Sequence, residues 1–258
     1  MLGVIPARWG SERLPGKPLR EIAGRSLIEW VWRRATGFEV LDACVIATDT
    51  ERVAEACRSF GARVVLTSPA HLSGTDRTAE VAARPEFAAF DVIVNVQGDE
   101  PLVTEEQVRS AVEQVRRGWD VGTVAAPVGS VAEWLDPAVV KVTRRQDGAA
   151  LYFSRAPIPR PRDGLPDDGA LASGPFLRHV GVYAFRRDGL ARWVRLLPGA
   201  LESVERLEQL RALEAGLTIG VGLVAAAEPG VDTPADLVRV ERRLRETEQR
   251  EPLTSKER

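Results

Sequence analysis

Two periodicities alternate along the first half of the chain, and that alternation limits the fold more than any single motif. Short runs rich in valine and isoleucine (LGVIPA, ACVIATD, ARVVLTS, FDVIVNVQGDEP and DVGTVAAPV) are separated by stretches with apolar residues at helical spacing. In SLIEWVWRRATG, Leu27, Ile28, Val31, Trp32 and Ala35 share one face, with Ser26 placed to cap the start and Gly37 beyond the end. ERVAEACRSFG, closed by Gly61, GTDRTAEVAAR, and TEEQVRSAVEQVRRG, opened by Thr104, repeat the plan. Buried strands alternating with helices predict an α/β fold, a Rossmann-like, mostly parallel sheet flanked by helices. Ligands of such sheets lie beyond the carboxyl ends of the strands.

The unusual loops occupy those ends. After the first strand comes PARWGSERLPGKPL, which carries Arg8, Gly10, Arg13, Gly16 and Lys17 and cannot build a core. Glycine amides and cations after a strand suit a polyphosphate, and a solvated charged loop is the plainer alternative. The stretch lacks the GK[ST] of a Walker A loop and the GxGxxG of dinucleotide binders. It also holds Lys17, one of only three lysines against 32 arginines.

Asp99 and Glu100 stand one glycine beyond the run VNVQ at the end of a buried strand, where two carboxylates are costly unless solvated or neutralised. A divalent cation carrying phosphates would neutralise them. GVDTPADL presents a third acid cluster, in which Asp232 either caps the helix starting near Pro234 or binds metal. Local grounds favour the cap, and Asp236 reads as a helix-dipole residue.

After about residue 135 the rhythm changes. AVVKVTRR and ALYFSR read as a hairpin around Gln146, Asp147 and Gly148, followed by a Pro/Gly/Asp-rich stretch from Ala156 to Pro175. RHVGVYAF places His179 and Tyr183 on one face of a strand, with Gly181 leaving a gap between them. LTIGVGLV is a late strand, and a polar helix follows. Glu208 and Gln209 alone read as helix surface. The organisation expected is a nucleotide-binding core over residues 1–135 and a smaller α+β subdomain over 136–200. The chain then returns to the core over 201–250 and ends in a frayed tail, 251–258.

Bulk composition excludes several classes. Net charge is −2 with acids and bases interleaved, so no global field recruits nucleic acid and no polybasic tail points to a membrane. The opening LGVIPAR has no charged n-region or long apolar h-region, and a cytoplasmic location is expected. Cys44 and Cys57 stand in apolar contexts without metal-site spacing.

Seven blocks, in order, carry a resemblance: IPARWGSERLPGKPL, HLSGTDRTAEV, NVQGDEPL, ALYFSRAPIPR, FLRHVGVYAFR, RLEQLRALEAG and GVDTPADL. Together they resemble the 3-deoxy-manno-octulosonate cytidylyltransferases, the CMP-Kdo synthetases, from residue 2 to about residue 245. The resemblance implies a sheet of the nucleotide-diphospho-sugar transferase type with a sugar-binding and dimerisation subdomain. It implies transfer of CMP from CTP to Kdo for lipopolysaccharide synthesis, with pyrophosphate released and magnesium required. On that basis Arg8, Gly10, Arg13 and Lys17 hold the triphosphate, and Ser73 and Gln97 serve the nucleotide. Asp99 and Asp232 match magnesium ligands, which reverses the local reading of Asp232 as a cap. Arg13 and Lys17 join those two acids as the catalytic set. Arg155, Arg162, His179, Tyr183, Glu208 and Gln209 match the sugar pocket. The resembling family is dimeric, and a two-fold partner would cover an apolar strand such as HVGVYAF if it stood outside the first sheet. A cytidylyltransferase for another keto-acid sugar, of the amino-Kdo or sialic acid type, would keep the phosphate loop and change the pocket. A non-catalytic nucleotide-binding protein would be expected to lack one of the two metal acids.

Overall fold

A computed structural model describes residues 1–10 and 13–250, with side chains as far as residue 246. The expected tail, 251–258, lies outside the described residues. Strands β1 (Leu2–Ala7), β4 (Ala43–Thr48), β5 (Val64–Leu66), β6 (Val92–Asn95) and β7 (Val121–Pro127) fall on the five predicted runs. A two-residue ribbon, β2 (Glu21–Ile22) and β3 (Arg25–Ser26), precedes the first helix. Helices α1 (Leu27–Thr36), α2 (Glu51–Ser59), α3 (Gly74–Ala82) and α4 (Glu105–Arg116) fill the intervals, each opened by a side-chain cap from Ser26, Thr50, Ser73 or Thr104. Those four hydroxyls satisfy amides that helix geometry leaves without partners.

β4 and β6 flank β1 in parallel, and β5 extends the sheet beyond β4. The chain therefore leaves β1 in one direction, winds outward, and returns to the other side of β1 at β6. The crevice at that reversal opens between the loops after β1 and β6. Alternate residues divide between two cores, Leu2, Val4, Val45 and Ile93 on one face and Ile5, Ile46 and Val94 on the other.

The second half departs from expectation in one respect. After α5 (Val131–Leu135), strands β8 (Lys141–Arg144) and β9 (Ala150–Ser154) form the predicted hairpin. Beyond α6 (Asp168–Ser173), β10 (Leu177–Arg186) lies antiparallel between β6 and β7 in the main sheet, and β8 joins its early end. The apolar strand around His179 is thus covered within its own chain, and the exposed-edge argument for a partner falls away. Helices α7 (Arg187–Trp193), α8 (Ala200–Glu205) and α9 (Gln209–Glu214) lead to β11 (Ile219–Leu223), which pairs in parallel with β7.

Helix α10 (Pro234–Arg250) then crosses back to the amino-terminal ribbon. Val240 and Leu244 pack with Leu14, Ile22, Leu27 and Trp30, so the end of the chain braces the first loop. Among the described residues, no helix is long and apolar enough to cross a membrane.

Candidate active site

A cleft of about 720 Å³ opens at the reversal point. The loop after β1 supplies Arg8, Gly10, Arg13 and Lys17; the loop after β6 supplies Gln97, Gly98 and Asp99. Ser73 and Arg77 enter from α3, Arg155 from the end of β9, Arg206 from the end of α8, and Asp232 from the segment before α10. Gly98 is required by the approach of the two main loops, since a Cβ there would lie 2.5 Å from Pro6 O.

Lys17 is the meeting point. Its ammonium donates to Asp99 Oδ2 at 2.5 Å and to Asp232 Oδ1 at 2.9 Å, and Arg13 lies 3.1 Å from the same Asp232 oxygen. Burial opposes the charge on Lys17, but Asp99 and Asp232 prevail and raise its pKa above the ordinary value. The two carboxylates come from residues 133 positions apart in sequence, and two contacts bring them together. Val231 N–H donates to Asp99 O at 2.8 Å, and α10 packs on the ribbon beside Leu14.

Asp232 does not cap α10. Thr233 Oγ1 accepts from the Asp236 amide at 3.3 Å, while Asp236 Oδ2 accepts from the amides of Thr233, at 2.8 Å, and Asp232, at 3.0 Å. That reciprocal arrangement leaves the Asp232 carboxylate directed to Lys17 and Arg13. The local reading of Asp232 as a cap fails because its neighbour, Thr233, takes the cap.

Glu100, beside Asp99, is used differently. Burial, then the neighbouring Asp99 charge, pushes its carboxyl up to about 7, against the opposing pull of Arg178 and the Gly181 amide. The expected gap at Gly181 is therefore filled from the opposite side: a Cβ there would lie 2.7 Å from Glu100 Oε1. The strand register shifts between Val180 and Tyr183, a bulge that makes room for this carboxyl.

His179 and Tyr183 do share a face, with ring centroids 5.3 Å apart, but neither lines the cleft. His179 Nε2 lies 2.9 Å from Thr123 Oγ1, and its ring meets Phe153 edge-on. Burial, reinforced by Arg178, lowers the imidazole to about 3, so the ring is neutral at pH 7. Burial raises the Tyr183 phenol, with Glu208 and Glu100 adding to the shift.

Glu208 accepts from Ser73 Oγ at 3.2 Å, Thr75 Oγ1 at 3.1 Å and Trp193 Nε1 at 2.9 Å. It is a half-buried hub between α3, α7 and α9, not helix surface, and desolvation raises its pKa against the hydrogen bonds from Trp193 and Thr75. Gln209 beside it is buried. Arg155 lines the cleft while donating to the backbone carbonyls of Glu205, at 2.8 Å, and Pro137, at 2.9 Å. Arg162 is exposed and is not among the cleft residues.

Three contributors escape sequence reasoning. Arg77 is almost wholly buried inside a quoted motif, and Asp49, which pairs with it, follows an ordinary strand. Arg206 lines the cleft from a left-handed backbone conformation, φ 52°, which non-glycine residues seldom adopt. Cys44 and Cys57 are unlinked, and burial pushes both thiols up to about 12.

The cleft's position and its cation–carboxylate junction define a nucleotidyl-transfer class of site, and comparison with known proteins gives the same class. A cytidylyltransferase family model matches residues 2–219. A 3-deoxy-manno-octulosonate cytidylyltransferase of Gemmatimonas aurantiaca is 52% identical over 240 residues, 93% of this chain and 92% of the relative. Its counterpart in Halorhodospira halophila is 48% identical over 249 residues, 95% of this chain and 96% of the relative. A solved CMP:2-keto-3-deoxy-manno-octonic acid synthetase complexed with CTP superposes with a TM-score of 0.86 at 40% identity, covering 95% of this chain and 98% of that one. A 4-diphosphocytidyl-2C-methyl-D-erythritol synthase, 16% identical with a TM-score of 0.61, shares the fold. The chain belongs to the 3-deoxy-manno-octulosonate cytidylyltransferase family.

Proposed function

We propose that the cleft transfers the cytidylyl group of CTP to 3-deoxy-D-manno-octulosonate, giving CMP-Kdo and pyrophosphate, the activated sugar used for lipopolysaccharide. The observation that carries this reading is the convergence of Arg13, Lys17, Asp99 and Asp232 at one corner of the cleft. The relatives' names and the solved CTP complex support it.

In the reaction, the sugar's anomeric hydroxyl oxygen bonds to the α-phosphorus in line. The bond from that phosphorus to its bridging oxygen breaks, pyrophosphate leaves, and the hydroxyl proton passes to solvent. Arg8, Arg13 and Lys17, with the amides around Gly10, neutralise the triphosphate and the charge that grows on the leaving group. Asp99 and Asp232 fit a divalent cation such as magnesium, because both already point at a single cationic atom, Lys17 Nζ. One or two carboxylates completed by substrate phosphates are the usual surroundings of that ion. When bound, it supplies positive charge to the phosphates.

Ser73 and Gln97 flank the nucleotide, while Arg155 and the layer of Glu208, Gln209, His179 and Tyr183 shape the sugar end. Arg162 serves that end only if its exposed loop folds inward. The neutral His179, bonded to Thr123, positions neighbouring groups rather than removing a proton. Within residues 136–200, the β8–β9 hairpin and the stretch 156–175 form the part that closes over the sugar and joins two copies, while β10 is built into the main sheet. Leu151, 57% exposed on β9, supports a partner at that hairpin, and light scattering reads the association. The test of the whole reading is pyrophosphate release from CTP and magnesium with a panel of keto-acid sugars. Release with Kdo well above that with amino-Kdo or sialic acid is expected, and release with sialic acid alone would reject it.

A further inference from the structure

Beneath the phosphate loop lies a set of contacts to which none of the roles above is assigned. Arg77, on α3 and 2% exposed, donates to Thr67 Oγ1 at 2.5 Å, to Ser68 O at 3.4 Å and to Asp49 Oδ2 at 3.2 Å. Asp49 Oδ1 accepts from the Trp9 amide at 3.1 Å. Thr67 is tied in turn to Thr48 O, by its amide at 2.9 Å and its hydroxyl at 3.1 Å. One guanidinium therefore joins the carboxyl ends of β4 and β5 and, through Asp49, the segment after β1. Its planar fork reaches three separate acceptors, which a lysine ammonium at that position would not span.

We propose that the Arg77–Asp49 pair is a positioning device for the triphosphate loop, acting through the Trp9 amide. Asp49 fixes the backbone at residue 9, and Arg52 lies 4.5 Å above the Trp9 ring, so this residue is held from both sides. The loop thus leaves β1 in one direction, with Arg8 and Gly10 lining the cleft. Asp49 itself is not among the residues that line the cleft. The inference rests on the reading that this loop binds CTP.

Charge and positioning predict opposite signs. An acid near a triphosphate repels it, so if Asp49 acted only through its charge, removing it would tighten CTP binding. If Asp49 positions the loop, its removal weakens CTP binding and frees the Trp9 amide. The experiment uses the full chain and measures KM for CTP and for Kdo, thermal stability, and hydrogen exchange over residues 4–19. Asp49→Ala is expected to raise KM for CTP by about tenfold and leave KM for Kdo within about twofold, the scale of a displaced binding loop. Exchange at Trp9 should quicken by about tenfold, with β6 amides unchanged. Asp49→Asn, which keeps an acceptor for the amide, should restore KM for CTP to within about threefold of the original.

Removing one partner of a buried pair can unfold a protein. Should Asp49→Ala not fold, Arg77→Lys retains the charge and loses the fork; because Arg77 also lines the cleft, the deciding reading there is exchange at Trp9, which should quicken by the same order. A folded Asp49→Ala variant with KM for CTP unchanged or lowered, or with unchanged exchange at Trp9, overturns the proposal. If the unaltered protein released no pyrophosphate from CTP, the functional reading would fall, and the exchange measurement would still decide the positioning role.

Discussion

Lys17 and Lys141 are two of three lysines in a chain with 32 arginines, and each withdraws its ammonium from water by different means. Lys17 sits at the cleft with its side chain 13% exposed and faces two carboxylates. Lys141 is fully buried and donates to three neutral carbonyls, of Asp136 at 2.7 Å, Val139 at 2.6 Å and Arg155 at 2.7 Å. Their pKa values move in opposite directions. Burial dominates at Lys141 and lowers it, whereas the acids beside Lys17 overcome burial and raise it.

An ammonium has three donors, and at Lys141 three fixed acceptors consume all of them, joining the segment before β8 to the end of β9. That region is built to be complete without a ligand. At Lys17 the same chemical group holds together two carboxylates that would repel each other, in an arrangement a cation and phosphates can replace. Buried charge closed by carbonyls supports a fold; buried charge closed by counter-charges at a cleft marks a site.

The largest effect expected from this contrast is on stability at Lys141. Lys141→Met removes the one side chain that ties together the carbonyls of Asp136, Val139 and Arg155, of which Asp136 O keeps the Val139 amide, and buries no compensating donor; it should cost about 3 kcal/mol or more, read as a lower urea midpoint. Lys141→Arg should not restore it, since a planar fork does not match three convergent acceptors. An unchanged midpoint in Lys141→Met would erase the distinction between the two regions.

At the cleft the effect should fall on chemistry. Asp99→Asn is expected to lower turnover by at least about 100-fold, the scale of losing a transition-state charge contact. Its melting temperature should stay near that of the unaltered protein. Near-normal turnover would remove Asp99 from the mechanism.

A smaller effect concerns pH. His179 is held at about 3, against an ordinary value of 6.5. Below 6.5 the unfolded chain takes up a proton that the native ring refuses, so stability is lost as pH falls from about 6.5 towards about 3. Glu100 acts in the reverse sense: with its carboxyl at about 7, stability is lost as pH rises from 4.5 towards that value. Thermal melts of His179→Gln at pH 7, 5 and 4 should therefore show a gentler acid decline than the unaltered protein. Parallel curves would mean that the imidazole is not held neutral by the fold.

The sequence made the parallel half of this molecule legible because each strand and helix there carries its own local period. It also marked both halves of the cleft, since glycines with cations in one loop and paired acids in another are rare after buried strands. The place of β10 was not legible. Its antiparallel insertion between β6 and β7 depends on pairings with distant residues, and nothing in RHVGVYAF specifies them. Glu208 looked like helix surface because its three donors come from α3 and α7, far off in sequence. Lys141 alternates correctly as a strand residue, and only the folded hairpin reveals the carbonyl cage around it.

The central claim is that Lys17 serves the triphosphate and not the sugar or the fold. Calorimetric titration of Lys17→Ala with CTP and, separately, with Kdo tests it most directly, each compared with the unaltered protein. CTP affinity should fall by at least about tenfold, as expected for a lost charge-assisted phosphate contact, while Kdo affinity and the melting temperature hold. Unchanged CTP binding with Kdo binding lost would contradict the account.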